Sequence, residues 1–322
     1  MTEGATWYDN FMETLYKKYP KKNQLTEALM NLLCIEREAV YRRLRKNVAF
    51  TVDEIVTIAA TWNISLDEII EIYHQQIPFK LRLWNYLDPS KEELNEMRMI
   101  IEGFDKLKTI PDMEYMEISN KLPRLLTSGF SYLSRLCLLK LMYHYHANDS
   151  VTPFAKVFYH EKVVQFSSDF YQASKNLPCV NFVWDNMIFY HTICDIRYFH
   201  SIYLITDEEK ELLKKDLYDL LDYMSNVASR GRWPETNQKV NLYISHLNID
   251  TNYIYYYHSG EVKLCSIHAF GKNELYTEDP SIARDFRIWM QSKKRSSIQI
   301  SEADEKNRIE FFTKQRQLVD SL

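Results

Sequence analysis

Residues 25–69 of this 322-residue chain are LTEALMNLLCIEREAVYRRLRKNVAFTVDEIVTIAATWNISLDEI, and they decide the fold of its N-terminal region. Leucines at helical spacing predict a helix from about 24 to 33. Val40 and Leu44 give the next predicted helix, 37–46, an inward side. Thr51 with Glu54 forms a capping box, which predicts that another helix begins there. The stretch therefore predicts consecutive short helices joined by tight turns.

A further helix is predicted on each side of this stretch. Apolar residues such as Phe11 and Leu15 recur every four positions, which predicts a helix from about 8 to 19. Ser65 with Glu68 forms a second capping box and predicts a short fifth helix. Five helices within the first 75 residues indicate a small α-helical domain.

The third predicted helix carries most of its charge on one face. At 100° per residue, this face lies opposite the inward Val40 and Leu44. Its members are Arg37, Glu38, Tyr41, Arg42 and Arg45. Arginine forks match guanine O6 and N7 in the major groove, whereas Glu38 could accept from cytosine N4 or pair with Arg42. A solvated charged face is the other interpretation of the same residues.

The basic residues of this region form an island in an acidic chain. Between Lys17 and Lys46 there are nine basic and three acidic residues, although the whole chain has a net charge of −4. A local excess of positive charge indicates one anionic partner that binds at one place.

The stretch 25–69 also resembles the lambda-repressor-like helix-turn-helix family of the Cro/XRE type. The resemblance covers about residues 8–73 and includes the pattern NISLDEI at 63–69. It implies a DNA-binding transcriptional regulator that reads bases with the third-helix face described above. The family's phosphate-contacting positions fall here on Gln24, Thr26, Lys46 and Asn47. Cys34 stands where the family usually has a turn glycine, and Met30 where it has a small alanine.

The remaining chain predicts a larger second part. We expect a mainly α protein with a helix-turn-helix domain at 1–75, a linker at 76–90 and a regulatory or dimerisation domain at 91–322. This domain is expected to be helical to about residue 234 and α+β from 235. Runs rich in Tyr, Ile and Val predict antiparallel strands, with a hairpin turn at His258-Ser259-Gly260. The runs are residues 240–247, 251–257 and 261–270.

Candidate chemical sites in the second part are single short patterns. Lys293, Lys294 and Arg295 could form an anion pocket, or simply a solvated basic turn. Three pairs contain metal-ligand residue types, but a site needs three or four converging ligands, so no metal or other cofactor is predicted. These pairs are His144-x-His146, His191-x-x-Cys194 and Cys265-x-x-His268.

Composition excludes several classes of protein. The six glycines are too widely spaced for a phosphate-binding loop, and GxSxG and HExxH are absent, so an enzyme is not expected. No apolar run reaches the length of a membrane helix. Five scattered cysteines are typical of a reduced cytoplasmic protein.

We therefore expect a regulator that binds double-stranded DNA as a homodimer and answers to an unknown small-molecule or protein effector. The alternative is a protein-interaction or scaffold protein whose helix-turn-helix fold does not touch DNA.

Overall fold

A computed structural model describes residues 6–66, 69, 79–145, 152–269, 271 and 273–322. The chain divides into two compact units, Met1–Phe79 and Lys80–Leu322, which we call the N-terminal and C-terminal units. None of the described helices is long and apolar enough to cross a membrane.

The described part of the N-terminal unit contains the first four helices that the sequence predicts. Their bounds are α1 Trp7–Lys18, α2 Lys22–Leu33, α3 Arg37–Leu44 and α4 Val52–Trp62. The capping box of Thr51 and Glu54 is confirmed, because each side chain meets the backbone N–H of the other residue. The fifth predicted helix falls mainly on residues outside the described ranges.

One apolar core holds these helices together. Phe11 and Leu15 of α1 pack with Leu29 of α2 and Val40 of α3, and all four are fully buried. At about 25 cal/mol per Å² of apolar surface, such side chains supply most of the favourable free energy of folding in a small domain. The inward pattern predicted for α3 is therefore confirmed, and the opposite side of α3 is left for solvent.

The C-terminal unit is built on one mixed sheet rather than on helices alone. Within the described residues the order is β1-β7-β6-β5-β2-β3-β4-β8, in which β2, β3 and β4 are parallel and the other pairs are antiparallel. The bounds are β1 Lys80–Arg82, β2 Glu114–Ser119, β3 Cys179–Asp185, β4 Lys239–Ser245, β5 Tyr253–His258, β6 Glu261–Ala269, β7 Asn273–Thr277 and β8 Ile298–Gln299.

The predicted fold class, mainly α with a small α+β segment from residue 235, is therefore wrong. Strands β2 and β3 lie inside the region expected to be helical, and β1 lies inside the segment 76–90 expected to be a linker. Strand β3, CVNFVWD, is buried on both faces and does not alternate between apolar and polar residues, so periodicity does not separate it from a buried helix.

The three predicted strands are present, but only β5 and β6 are the antiparallel neighbours expected, because β4 lies parallel to β3 and does not adjoin β5. Strands β4, β5 and β6 lie at the three predicted runs, and Ser259 and Gly260 both have positive φ, 53° and 81°. Two positive φ angles in succession belong to the turn type that suits the right-handed twist of a hairpin. The predicted hairpin turn is confirmed.

Helices cover both faces of this sheet. One face, which includes Phe182 and Trp184, belongs to the larger core, whereas Met116 and Val183 on the other face pack with Ala283 and Met290 of α11. The helices are α5 Lys91–Leu107, α6 Arg124–Thr127, α7 Ser131–Tyr145, α8 Glu161–Ser174, α9 Tyr190–Ser201, α10 Asp207–Arg230, α11 Pro280–Arg295 and α12 Glu305–Asp320, with a 3₁₀ turn at Phe154–Lys156.

Candidate nucleic-acid interface and ligand cavity

The outer face of α3 is exposed and basic. Arg37, Glu38, Arg42 and Arg45 are all exposed, and Tyr41 is half-buried among them. Because Val40 and Leu44 anchor the opposite side in the core, the fold presents these side chains to solvent together. The structure thus brings together the five residues expected to read bases.

The ring of Tyr41 lies close to three cations, two on α3 and one on α2. The guanidinium carbons of Arg37 and Arg45 each lie 5.8 Å from the centre of its ring, and Lys22 Nζ lies 6.0 Å away. Cations at this distance are attracted to the negative face of the ring. Tyr41 therefore concentrates positive charge from α2 and α3 at one place.

Arg42 and Arg43 are neighbours with different roles. Arg43 forms a two-bond pair with Glu54 of α4, with nitrogen–oxygen distances of 2.9 and 2.7 Å. Burial opposes ionisation of Glu54, but the hydrogen bonds from Arg43 and Thr51 and the charge of Arg43 together outweigh it and hold the pKa of Glu54 below its ordinary value. The Arg42 guanidinium has neither a hydrogen bond nor an ion pair within the described residues. Arg43 therefore joins α3 to α4, whereas Arg42 is free to meet a ligand.

The four expected phosphate contacts differ in accessibility. Gln24, Lys46 and Asn47 are exposed, although Lys46 also pairs with Asp9 of α1. Thr26 is fully buried, and its hydroxyl donates to the Lys22 carbonyl at 2.8 Å. Its side chain is therefore unable to reach a phosphate, because a hydroxyl within a helix readily bonds the carbonyl one turn before it.

Cys34 ends α2 in the left-handed backbone region, with φ 52° and ψ 42°. A residue with a Cβ is strained there by about 1–2 kcal/mol, whereas glycine is not. We expect Cys34→Gly to stabilise the N-terminal unit by about 1 kcal/mol, which would slow amide hydrogen exchange of α2 and α3 roughly fivefold. Cys34→Ala is the matched control, since it removes the thiol but keeps the strain. Equal exchange in the glycine variant and the wild type would contradict this account of the turn.

The C-terminal unit contains a cavity of about 590 Å³, here called the larger cavity. Its walls come from the segment after β2, from α6, α7 and α9, and from residues of and beside β5 and β6. His144, His191 and His268, which the sequence places in three separate candidate pairs, all line it. His146 lies outside the described residues. Among the described residues, no three His, Cys, Asp or Glu side chains are arranged to hold a metal ion.

Positive charge predominates in the larger cavity. Lys121, Arg124 and Lys140 line it, and Asp195 is the carboxylate on its described wall. Asp195 pairs with Lys140. Arg124 donates to the Tyr86 hydroxyl at 2.8 Å instead of to a carboxylate. The walls therefore have an excess of cations over anions.

A buried polar cluster lies beside this cavity. Asn252 is 4% exposed and donates to Glu117 Oε1 at 3.4 Å, while its own Oδ1 has no hydrogen-bond partner among the described residues. Glu117 also accepts from the hydroxyls of Tyr115 at 2.7 Å and Ser119 at 3.2 Å. Burial raises the pKa of Glu117 to about 7, against the effect of these bonds. Burial also lowers the pKa of His268 to about 4, so its imidazole is neutral at pH 7.

The three cations expected to form an anion pocket do not converge. Lys294 of α11 reaches the sheet, where its Nζ donates to Asn181 Oδ1 of β3 at 2.9 Å and lies 3.7 Å from Glu114 Oε1 of β2. Lys293 lies 5.6 Å from the ring centre of Trp289, and Arg295 is exposed. Lys294 thus serves the contact between α11 and the sheet, because a half-buried ammonium is more stable beside a carboxylate than unpaired.

The described residues present two candidate sites, an exposed basic helix face and a partly open cationic cavity. Comparison with protein-family models, curated proteins and solved structures finds no match. The support for a function comes from the residues of these two sites.

Proposed function

We propose that this chain is a DNA-binding transcriptional regulator in which α2 and α3 form a helix-turn-helix and α3 enters the major groove. One observation carries the proposal: Arg42 has no polar partner among the described residues and lies beside the Tyr41 cluster, while the adjacent Arg43 is engaged inside the unit. The arginines that hold the unit together and those that face outward are therefore different residues. An exposed cluster of guanidiniums on one short helix suits phosphates and guanine edges.

Each side chain of the face has a role in this proposal. Arg42 and Arg45 contact bases or phosphates, and Glu38 accepts from cytosine N4. Tyr41 orients Arg37 and Arg45 through its ring. Gln24, Lys46 and Asn47 contact the phosphates on either side of the groove, and they set the register of the helix on the duplex.

The protein acts as a homodimer in the cytoplasm in this proposal. A single small helix-turn-helix unit buries too little surface to select one site, whereas two copies match a palindrome. The C-terminal unit supplies dimerisation, effector sensing or both. All five cysteines are free, which suits a reducing compartment.

The first test is the salt dependence of DNA binding by the full chain. If each protomer of the dimer neutralises about four phosphates, about eight in all, raising the salt from about 50 to 200 mM lowers affinity roughly 10⁴-fold. Fluorescence anisotropy with labelled genomic fragments measures this change, and sequencing of the bound pool identifies the operator. Absent or salt-insensitive binding would overturn the proposal and favour the protein-interaction role.

A further inference from the structure

The larger cavity has two cations whose charge is not balanced on its described walls. Lys121 is exposed at the rim, and Arg124 is half-buried further in. Neither forms an ion pair with a described residue, in contrast to Lys140, which pairs with Asp195. Partly desolvated cations without counter-ions attract anions strongly, because the local dielectric is lower than in water.

Arg124 is held in a fixed position by aromatic side chains. Its guanidinium carbon lies 5.2 Å from the ring centre of Tyr86 and 5.6 Å from that of Phe166, and Nη1 donates to the Tyr86 hydroxyl. Arg124 and His268 also line a second cavity of about 310 Å³, whose walls include aromatic rings and the side chains of Glu117, Glu274 and Glu278. A guanidinium has five N–H donors, so most of the Arg124 donors are available for a forked contact with an anion.

Asn252 lines the larger cavity and is 4% exposed, and its amide nitrogen donates to Glu117 rather than to a group in the cavity. The neutral His268 lies on the same wall and adds polar contact without a charge.

The remaining wall is apolar. Leu122, Leu133, Leu136 and Leu141 line the cavity, and its volume is within the range of small-molecule sites. Free inorganic phosphate would leave this surface uncovered. An occupant with a hydrocarbon or aromatic body covers the leucines while its charged end meets the cations.

We propose that the larger cavity binds a small organic anion that has an apolar body and an acidic group held by Arg124 and Lys121. The basic side chains select the anion, and the leucines select the apolar body. The proposal does not rest on DNA binding by α3, so it is tested on the full chain without DNA.

The test compares probes that share one body and differ in charge. The probes are octanoate, octan-1-ol and octylamine, each used at pH 7.5 to displace the fluorescent anion 1-anilinonaphthalene-8-sulfonate from the full chain. We expect octanoate to bind at least about tenfold more tightly than octan-1-ol, as charge-assisted hydrogen bonds require, and octylamine not to displace the dye. Displacement by octan-1-ol as effective as that by octanoate would overturn the anionic class.

Substitutions then locate the site. Lys121→Glu reverses a charge at an exposed side chain and should weaken octanoate about tenfold, whereas Lys121→Arg should bind as the wild type does. Lys215→Ala is the matched control, since it removes a cation of α10 that pairs with Asp219. Unchanged octanoate binding in Lys121→Glu, or equal weakening in Lys215→Ala, would overturn the assignment.

Discussion

Replacing Arg42 and Arg45 together by alanine is expected to lower the affinity for DNA about 100-fold. A good contact from arginine to a base edge or phosphate contributes about 1–3 kcal/mol, and a loss of about 3 kcal/mol corresponds to roughly 100-fold. Both side chains are exposed, so the fold of the unit should be unchanged. Fluorescence anisotropy of the two proteins on the same labelled duplex, with circular dichroism as the check on folding, measures the effect.

The salt dependence distinguishes a direct phosphate contact from a general charge effect. The slope of log affinity against log salt should become shallower by about one for each phosphate that the variant no longer neutralises. Lys17→Ala is the matched control, because Lys17 is a 74% exposed cation of α1 that pairs with Glu13. Wild-type affinity in the double variant, or the same weakening in Lys17→Ala, would show that the α3 face does not read DNA.

Glu117→Gln is expected to change how the stability of the C-terminal unit depends on pH. The pKa of Glu117 is raised from 4.5 to about 7 by burial, so the unfolded chain ionises first as the pH rises. The stabilising contribution of the neutral carboxyl is therefore complete below pH 4.5 and is lost as the pH rises to 7. The loss amounts to about 3 kcal/mol.

His268 changes the stability of the unit with pH in the opposite direction to Glu117, over a similar pH interval. Burial lowers its pKa from 6.5 to about 4, so its contribution is complete above pH 6.5 and is lost as the pH falls to 4. The two groups nearly cancel in the wild type, which should be almost equally stable at pH 5 and 7.5. Without the Glu117 carboxyl, the effect of His268 is no longer offset, and stability should rise by about 2 kcal/mol between these values.

Urea unfolding at pH 5 and 7.5 tests this expectation. Tryptophan fluorescence is a suitable signal, because four of the six tryptophans belong to the C-terminal unit. Glu102→Gln is the matched control, since this glutamate is 59% exposed and should leave the pH dependence unchanged. If Glu117→Gln and the wild type show parallel curves, Glu117 is not the buried group that titrates near neutrality.

The helices of the N-terminal unit could be predicted because their signals are local. The capping box of Thr51 and Glu54 joins residues three apart, and the apolar spacing that turns α3 inward operates within two turns. The same helical spacing points Arg42 and Arg43 to different sides of α3. Arg43 then pairs with Glu54 of α4. Thr26 is the exception, because the burial of its hydroxyl depends on the packing of α2 in the core.

The sheet of the C-terminal unit could not be predicted in the same way. Tyr115 of β2 pairs with Val180 of β3 on one side and with Tyr256 of β5 on the other. These partners are far apart in the chain, and no short pattern connects them. Only the hairpin at Ser259 and Gly260, where partner strands are adjacent, had a local signal.

The sequence by itself determined the helices α1–α4, the basic outer face of α3, and the β5–β6 hairpin. Tertiary structure decided the order of the strands, the position of His144, His191 and His268 on the walls of one cavity, and the pairing of Lys294 with the sheet. The physical reason is how far apart in the chain the interacting residues lie. Caps, helix faces and tight turns depend on hydrogen bonds and side chains within about four residues. Strand pairing and cavity walls depend on which distant segments bury their apolar surfaces together, and that is a property of the whole chain.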